Sequence, residues 1–368
     1  MNSQASLVYK RDIGDSLKVL IIKTGALGDV LRTTFIPKLL KKKYKDCSIT
    51  WITAPSAKCL LEGNKYVDQI LTYPSEEVTN LSTATFDTVY SLDDEEELCM
   101  LASAVNKTTL HGAYLDDFGK RCYTESVEPW FGMGLLRSES DGGKKKADQL
   151  KALNRKTFQD IYTDMLQLRD VVDSVQDTKP ILPLSLEELN YGQTVLKRMD
   201  LDHAKLIIGI NSGAGARWQL KWFPEKKTAE LCDKLIREQG ATILLLGGKD
   251  EYDRNKRIQG MCEEQVHFVE PVSSIRQFAG VLNACDLVIS SDTLALHLSL
   301  ALGRNTISFF GPTSPYEIEM FNLGERVFKL SPCLSCYRKD VFPQSCMGYL
   351  GVDDIFNATI LKNKKVIL

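Results

Sequence analysis

Residues 286–313 read DLVISSDTLALHLSLALGRNTISFFGPT, and the order of apolar and polar residues in this stretch predicts the fold. A short apolar run, residues 287–290, is followed by the polar pair Asp292 and Thr293. Apolar residues then return with helical spacing over residues 295–302, and residues 305–310 have the composition of a second strand. Strand, helix and strand in this order predict a βαβ unit of a parallel sheet.

The helix of this unit would begin at Asp292 or Thr293, and its first turn is a candidate phosphate site. Free backbone N–H groups and the positive end of the helix dipole meet at such a terminus. Thr293 adds a hydroxyl, and His297 lies one turn further along the same helical face. These groups could hold a diphosphate without a metal ion. The structural alternative is that Asp292 only caps the helix and His297 is a hydrogen-bonded core residue.

A similar strand, loop and helix occur near the amino end. Residues 18–23 (KVLIIK) predict a buried parallel strand, the loop GALGD follows, and residues 30–44 have helical character. The glycine spacing is GxxG instead of GxGxxG, and the next strand, SITWIT, ends without an acid for a ribose, which argues against a nicotinamide site. Asp29 stands where the chain enters the helix, so it is either an ionised general base or a helix cap.

The second half of the chain starts another series of this type. Residues 205–211 (KLIIGIN) predict a strand that leads into residues 212–224 (SGAGARWQLKWFP). The small residues let the backbone approach a ligand closely, and Arg217 and Lys221 bring fixed positive charge. Glu251 follows the next predicted strand, residues 241–246, as either a partner for a ribose or an exposed turn acid.

Composition and charge limit the class of protein. A chain of 368 residues, 43% hydrophobic and 26% charged, is long enough for two globular domains. The net charge of −2 argues against a general nucleic-acid binder. No apolar run approaches the roughly 20 residues that span a bilayer, and the amino end lacks the apolar core of a signal peptide. We therefore expect a cytoplasmic protein.

Three further stretches bear on the partner and the domain boundary. The end of the first helix carries five lysines, which form either a solvated face or a surface for an anionic acceptor or a membrane: Lys38, Lys41, Lys42, Lys43 and Lys45. Residues 111–143 predict a long loop that helps to select the acceptor. Residues 147–168 predict a helix, and residues 177–183 (DTKPILP) a linker between the halves.

Three segments of the chain, taken together, resemble the signature blocks of glycosyltransferase family 9, the ADP-heptose:lipopolysaccharide heptosyltransferases. They are KVLIIKTGALGDVLRTT, SGAGARWQLKWFP and SSDTLALHLSLALGRNTISFFGPT, in the expected order and at the expected separations. The resemblance implies an α/β fold of the GT-B type, in which two Rossmann-like domains with parallel sheets face each other across a cleft. It implies an acceptor domain over residues 1–180, a nucleotide-sugar domain over residues 181–345, and a tail, residues 346–368, that crosses back to the first domain.

The activity implied by the resemblance is inverting transfer of a heptose from ADP-heptose to a hydroxyl of a lipopolysaccharide-core or other surface glycan, with no cofactor required for the chemistry. Asp29 matches the family's proposed catalytic base. The donor-binding set comprises Ser212, Gly213, Lys221, Glu251, Asp292, Thr293, Leu294, Ala295 and His297. The acceptor side comprises Lys23, Thr24, Gly28 and Arg32. Peripheral contact with the inner membrane, transfer to a protein hydroxyl, and a nucleotide-sugar epimerase or isomerase of the same fold remain alternatives.

Two positions depart from the family pattern. Leu294 stands where family members commonly have glycine, so the diphosphate or the sugar could bind differently. The tail of related chains is rich in cysteine, and here Cys333, Cys336 and Cys346 remain. These three thiols, with a fourth ligand from elsewhere, would form a structural zinc or iron site; the alternative is a set of reduced thiols in a packed turn.

Overall fold

The computed structural model describes residues 16–134, 137–331, 334–337 and 346–367. These residues form two six-stranded sheets. The first sheet, in chain order, consists of β1 (Leu17–Ile22), β2 (Cys47–Thr53), β3 (Gln69–Thr72), β4 (Thr85–Ser91), β5 (Asn106–Leu115) and β6 (Arg121–Tyr123). The second consists of β7 (Ile207–Asn211), β8 (Thr242–Leu245), β9 (His267–Phe268), β10 (Leu287–Ser291), β11 (Asn305–Phe309) and β12 (Gly324–Val327).

The α-helices of the described residues connect and cover these strands. In the first half they are α1 (Leu27–Thr33), α2 (Ile36–Lys43), α3 (Glu76–Thr79), α4 (Glu96–Ala104), α5 (Glu128–Phe131), α6 (Gly143–Leu153) and α7 (Phe158–Met165). In the second half they are α8 (Leu186–Arg198), α9 (Glu225–Gln239), α10 (Tyr252–Met261), α11 (Ile275–Asn283), α12 (Leu294–Ala301) and α13 (Val352–Ile367). None of the helices in the described part of the chain combines the length and apolar character needed to cross a membrane.

The two sheets share one strand order, and this order locates the ligand-binding edge of each. The first reads β3-β2-β1-β4-β5-β6 and the second β9-β8-β7-β10-β11-β12, all parallel except for the antiparallel pair β5 and β6. In both, the order reverses direction beside the first strand, between β1 and β4 and between β7 and β10. Ligands of open α/β sheets bind beyond the carboxyl ends of the strands at such a reversal. The loops that follow these four strands are therefore the candidate site.

The two halves pack directly against each other through α1 and α12. Side chains of both helices belong to one hydrophobic cluster that includes Val30, Leu31 and Leu298. Gly28 makes the close approach possible, because a Cβ atom at this position would lie 2.9 Å from Cδ2 of His297. The packing brings the first turn of α1 next to the first turn of α12.

Three segments differ from the sequence-based expectation. The predicted loop over residues 111–143 contains structure, because β5 continues to Leu115 and returns through β6 as a hairpin. The predicted helix over residues 147–168 is two helices, since Thr157 caps a new helix, α7, with a capping box. The tail helix α13 packs against α9, β11 and β12 of the second half, which differs from the expected crossing to the first domain. Its apolar residues Ile355 and Phe356 are buried in the core of the second sheet.

Candidate active site

A cavity of about 1070 Å³ lies between the two halves and receives residues from all four loops at the reversal points. The first half contributes the loop after β1 and the acids after β4. The second half contributes the segments after β7, β8 and β10 and the loop after β11. The cavity thus occupies the position that the strand order predicts. It is large enough for a nucleotide-sized ligand.

Asp93, at the carboxyl end of β4, holds the loop after β1 in place. One carboxylate oxygen forms an ion pair with Lys23 Nζ, and the other accepts hydrogen bonds from the backbone N–H and hydroxyl of Thr24. Burial by itself would lower the pKa of Lys23, but the charges of Asp93, Asp29 and Glu95 and the hydrogen bond to Asp93 together outweigh burial, so the pKa is raised. Lys23 also donates to the carbonyl of Gly25. Lys23 and Thr24, predicted to contact the acceptor, both support the loop; Lys23 also lines the cavity, whereas Thr24 does not.

Asp29 lies in the first turn of α1 and lines the cavity. Its side chain is 35% exposed. Arg32 Nη1 approaches Asp29 Oδ1 at 3.3 Å, and the Arg32 guanidinium stacks over the ring of Phe158 at 3.8 Å. Ala26 occupies the N-cap position of α1, so the Asp29 carboxylate does not serve as the cap. The Asp29 side chain is therefore accessible to a ligand and held from one side.

Asp292 faces α1 from the other half and is tied to two positive or polar partners. Lys221 Nζ donates to the backbone carbonyl and to Oδ2 of Asp292 at 2.8 and 3.0 Å, and His297 Nε2 lies 3.6 Å from Oδ1. Burial opposes ionisation, but Lys221 and His297 hold the pKa of Asp292 well below its usual range. Burial also lowers the pKa of His297, which is neutral near pH 7.

The first turn of α12 presents backbone N–H groups without a side-chain cap. Thr293 is the N-cap residue, but its hydroxyl contacts Asn211 Nδ2 at 3.0 Å and the hydroxyl of Ser290 at 3.1 Å. Thr293, Leu294 and Ala295 all line the cavity. The initial N–H groups of a helix have no partner within the helix, so this turn is suited to an anion. Asn211, which fixes the cap residue, was missed by the sequence analysis.

Of the remaining residues predicted to bind the donor, one lines the cavity and two do not. Glu251 lines the cavity, and its carboxylate accepts from the backbone N–H groups of Gly215 and Gly248, so it joins the loops after β7 and β8. Ser212 and Gly213 do not line the cavity. The Ser212 hydroxyl accepts a 2.7 Å hydrogen bond from the buried guanidinium of Arg254 instead. These two residues support the wall whose surface is formed by Ala214 and Gly215.

The lysines of α2 are paired with acids. Four of them have ion-pair partners within 3.0 Å: Lys38 with Asp177, Lys41 with Asp68, Lys42 with Asp173 and Lys43 with Asp170. Most of these acids come from the segment that leads into the second half. The pairing favours the structural interpretation of this lysine cluster over an open basic surface.

The cysteine cluster is only partly described. Cys333 lies outside the described residues, while Cys336 and Cys346 lie within them. Cys346 is buried against Gly311, where a Cβ atom would lie 2.9 Å from the sulfur. Within the ranges that the structure describes, no three His, Cys, Asp or Glu side chains form a group that could hold a metal ion. A metal site that includes Cys333 stays a prediction.

Known proteins resemble this chain in sequence and in fold. Residues 156–342 match the family model described as glycosyltransferase family 9 (heptosyltransferase). The chain is 24% identical over 309 residues to lipooligosaccharide heptosyltransferase 2 of Haemophilus influenzae. The match covers 81% of this chain and 84% of that protein.

Two solved structures share the architecture. The glycosyl transferase family 9 protein of Veillonella parvula superposes with a TM-score of 0.72 at 16% identity, over 95% of this chain and 98% of that one. The ADP-heptose lipopolysaccharide heptosyltransferase II of Escherichia coli superposes with a TM-score of 0.65 at 16% identity, over 96% and 100%. At these identities the comparison shows the fold, and it confirms the predicted GT-B architecture.

Proposed function

The chain belongs to glycosyltransferase family 9, and we propose that it transfers a heptose from ADP-heptose to a hydroxyl of a lipopolysaccharide-core glycan with inversion at the anomeric carbon. The observation that carries the proposal is the pair of facing first turns. An accessible carboxylate, Asp29, lies on one wall of the cavity, and uncapped helix N–H groups with Lys221 lie on the other. The heptose and the glycan acceptor are proposed because similar proteins are named as heptosyltransferases of lipooligosaccharide and lipopolysaccharide.

In the proposed reaction the acceptor oxygen attacks the anomeric carbon of the donor while the bond from that carbon to the phosphate oxygen breaks. The ADP leaves with the bonding electrons, and the proton of the acceptor hydroxyl moves to Asp29. The sugar passes through a state with oxocarbenium character. Attack from the face opposite the leaving group inverts the anomeric configuration.

The departing diphosphate acquires negative charge, which must be stabilised on the second wall. We assign this role to the first N–H groups of α12 and to Lys221. Lys221 is already oriented by Asp292, so its ammonium keeps a fixed position before the donor binds. Since the positive charge comes from the chain itself, the proposal requires no divalent metal ion.

The remaining roles are assigned to residues that line the cavity. Glu251 is proposed to accept from the ribose of the donor, on the same side as Ala214 and Gly248. Leu294, in place of the usual glycine, occupies the first turn of α12, where its side chain would contact the diphosphate or the sugar. Because the lysines of α2 are paired with acids, the proposal does not assign them a contact with the membrane.

The test combines a donor panel with a transfer assay. Thermal shift with ADP-heptose and with UDP-, GDP- and ADP-hexoses should give the largest rise in melting temperature for ADP-heptose, because a ligand of the native state stabilises it. Transfer to heptose-free lipopolysaccharide core should then be unaffected by EDTA and should give an inverted linkage. Conversion of ADP-heptose with no acceptor present would instead indicate an isomerase or epimerase, and retention of anomeric configuration would contradict the mechanism.

A further inference from the structure

The wall of the cavity contains buried polar atoms without hydrogen-bond partners. They are Nη2 of Arg32, Nζ of Lys151 and Oγ1 of Thr313. Each of these residues is at most 8% exposed, and all three line the same cavity. A buried donor without a partner typically costs about 1–3 kcal/mol. Three such groups around one space indicate that a polar ligand supplies the missing partners.

Aromatic rings hold the two cations while leaving N–H groups available. The guanidinium of Arg32 lies 3.8 Å from the centre of the Phe158 ring, and Nζ of Lys151 lies 4.8 Å from the centre of the Tyr337 ring. A ring face attracts a cation but accepts no conventional hydrogen bond. Lys151 Nζ and Oδ1 of Asp148 form a long ion pair at 3.5 Å, without a hydrogen bond between them.

Glu317, the carboxyl group beside these cations, does not fill the space. Its Oε1 accepts a 2.8 Å hydrogen bond from the hydroxyl of Tyr337. Burial raises the pKa of Glu317, although the charges of Arg32 and Lys151 both act to lower it. Glu317 is therefore engaged with Tyr337, and it accepts no hydrogen bond from Nη2 of Arg32 or Nζ of Lys151.

We propose that Arg32, Lys151 and Thr313 form a subsite for an anionic group of the acceptor, either a carboxylate or a phosphate monoester. Two cationic donors and a hydroxyl match the several oxygens of such a group. The subsite belongs to the acceptor because Arg32 lies on α1, one turn after Asp29, and Nη1 of Arg32 is 3.3 Å from Asp29 Oδ1. An acceptor whose charge binds here would bring a neighbouring hydroxyl to the base. This inference rests on the proposed function, which assigns ADP to the Lys221 side.

The subsite is tested by calorimetric titration of the full chain saturated with ADP, using three small probes. Methyl glucuronide carries a carboxylate, glucose 6-phosphate carries a phosphate, and methyl glucoside is the neutral control. We expect at least one anionic probe to bind about tenfold more tightly than methyl glucoside, the gain typical of a charge-assisted hydrogen bond. The better anion identifies whether the acceptor charge is a carboxylate or a phosphate.

Two variants and a control locate the effect. Lys151→Met should abolish the preference for the anion, and Thr313→Val, which keeps the shape of the side chain, should reduce it severalfold. Lys107→Met is the control, because Lys107 is another partly buried lysine with a lowered pKa, bonded to the carbonyls of Ser103 and Val105. It should leave the preference unchanged.

The outcomes separate this inference from the proposed function. If ADP binds but neither anionic probe exceeds methyl glucoside, the subsite is wrong and the proposed function stands. Retention of the preference in both Lys151→Met and Thr313→Val would likewise overturn the subsite. Absence of ADP binding in the wild-type protein would count against the proposed function instead.

Discussion

The two acids that face each other across the cavity have opposite surroundings. Asp29 is 35% exposed, and the one side-chain partner that it has among the described residues is Arg32, at 3.3 Å. Asp292 is 14% exposed, is bonded to Lys221, contacts His297, and has a pKa held well below its usual range. The carboxylate of Asp292 is occupied by Lys221 and His297, whereas the carboxylate of Asp29 is open to a substrate. The comparison indicates that acids on opposite walls of one cavity have different roles, set by their partners.

The comparison predicts that Asp29→Asn reduces the rate of transfer by about 10²–10⁴-fold, the usual contribution of a general base. The amide keeps the size of the side chain but cannot accept the proton. Stability should be nearly unchanged, because the contact with Arg32 is long and partly exposed. Transfer assays and thermal unfolding of the same preparation check both parts. Turnover close to wild type would remove Asp29 from the mechanism.

Lys221→Met should affect both rate and stability, in contrast to the change at Asp29. It leaves the Asp292 carboxylate buried without its principal counter-charge, which we expect to cost about 3 kcal/mol of unfolding free energy. Loss of the charge near the diphosphate should also lower the rate by about 10²-fold. Denaturant unfolding and transfer assays measure the two effects.

The double variant Lys221→Met with Asp292→Asn is the matched control for this prediction. It removes the unpaired charge, so stability should recover substantially while activity stays low. If the single variant were as stable as the wild type, the ion pair would have no role in holding the second wall.

A third prediction concerns Asp93, which holds the loop after β1 on the Asp29 side of the cavity. Asp93→Asn weakens the only anionic contact among the hydrogen-bond partners described for Lys23, a residue that is 5% exposed. We expect a loss of about 2 kcal/mol of stability and a roughly tenfold loss of kcat, since the loop that precedes Asp29 is no longer fixed. ADP affinity should be retained.

Asp94→Asn is the control for this change. Asp94 Oδ2 accepts a 2.9 Å hydrogen bond from the hydroxyl of Tyr123, and the amide oxygen of asparagine can accept the same bond. The variant should leave kcat within about twofold of wild type. Equal losses of kcat in Asp93→Asn and Asp94→Asn would show that the two acids contribute equally to catalysis.

Much of this site could be predicted from the sequence because its chemistry lies at strand ends. Short apolar runs followed by Asp29, Lys221 and Asp292 place these residues at the carboxyl edge of a sheet. The pairing of Lys23 with Asp93 could not be predicted, because it joins strands β1 and β4 that are distant in the chain. An acid two residues after the end of β4 was the available signal.

The differences between the sequence-based expectation and the structure also have identifiable physical causes. Ser212 follows its strand as a donor residue should, but the side chain turns to the buried Arg254, whose position depends on packing across α10. The residues of the proposed anion subsite come from α1, α6 and the loop after β11. Only the packing of the two halves brings Lys151 and Thr313 to the wall of one cavity, so no local pattern could identify them.

The smallest expected effect concerns the pH dependence of stability at His297. Burial lowers the pKa of His297 below the usual 6.5, so the unfolded chain binds a proton more readily than the folded chain as the pH falls. This contribution to stability is complete above about pH 6.5 and is lost below it, by at most about 1.4 kcal/mol at pH 5.5. His297→Gln should therefore show a weaker decrease in melting temperature between pH 7.5 and 5.5 than the wild type. His203→Gln, at an exposed position, should follow the wild type. If His297→Gln and the wild type lost stability in parallel, the imidazole would be protonated with its partner Asp292, and the second wall would carry one more positive charge for the diphosphate.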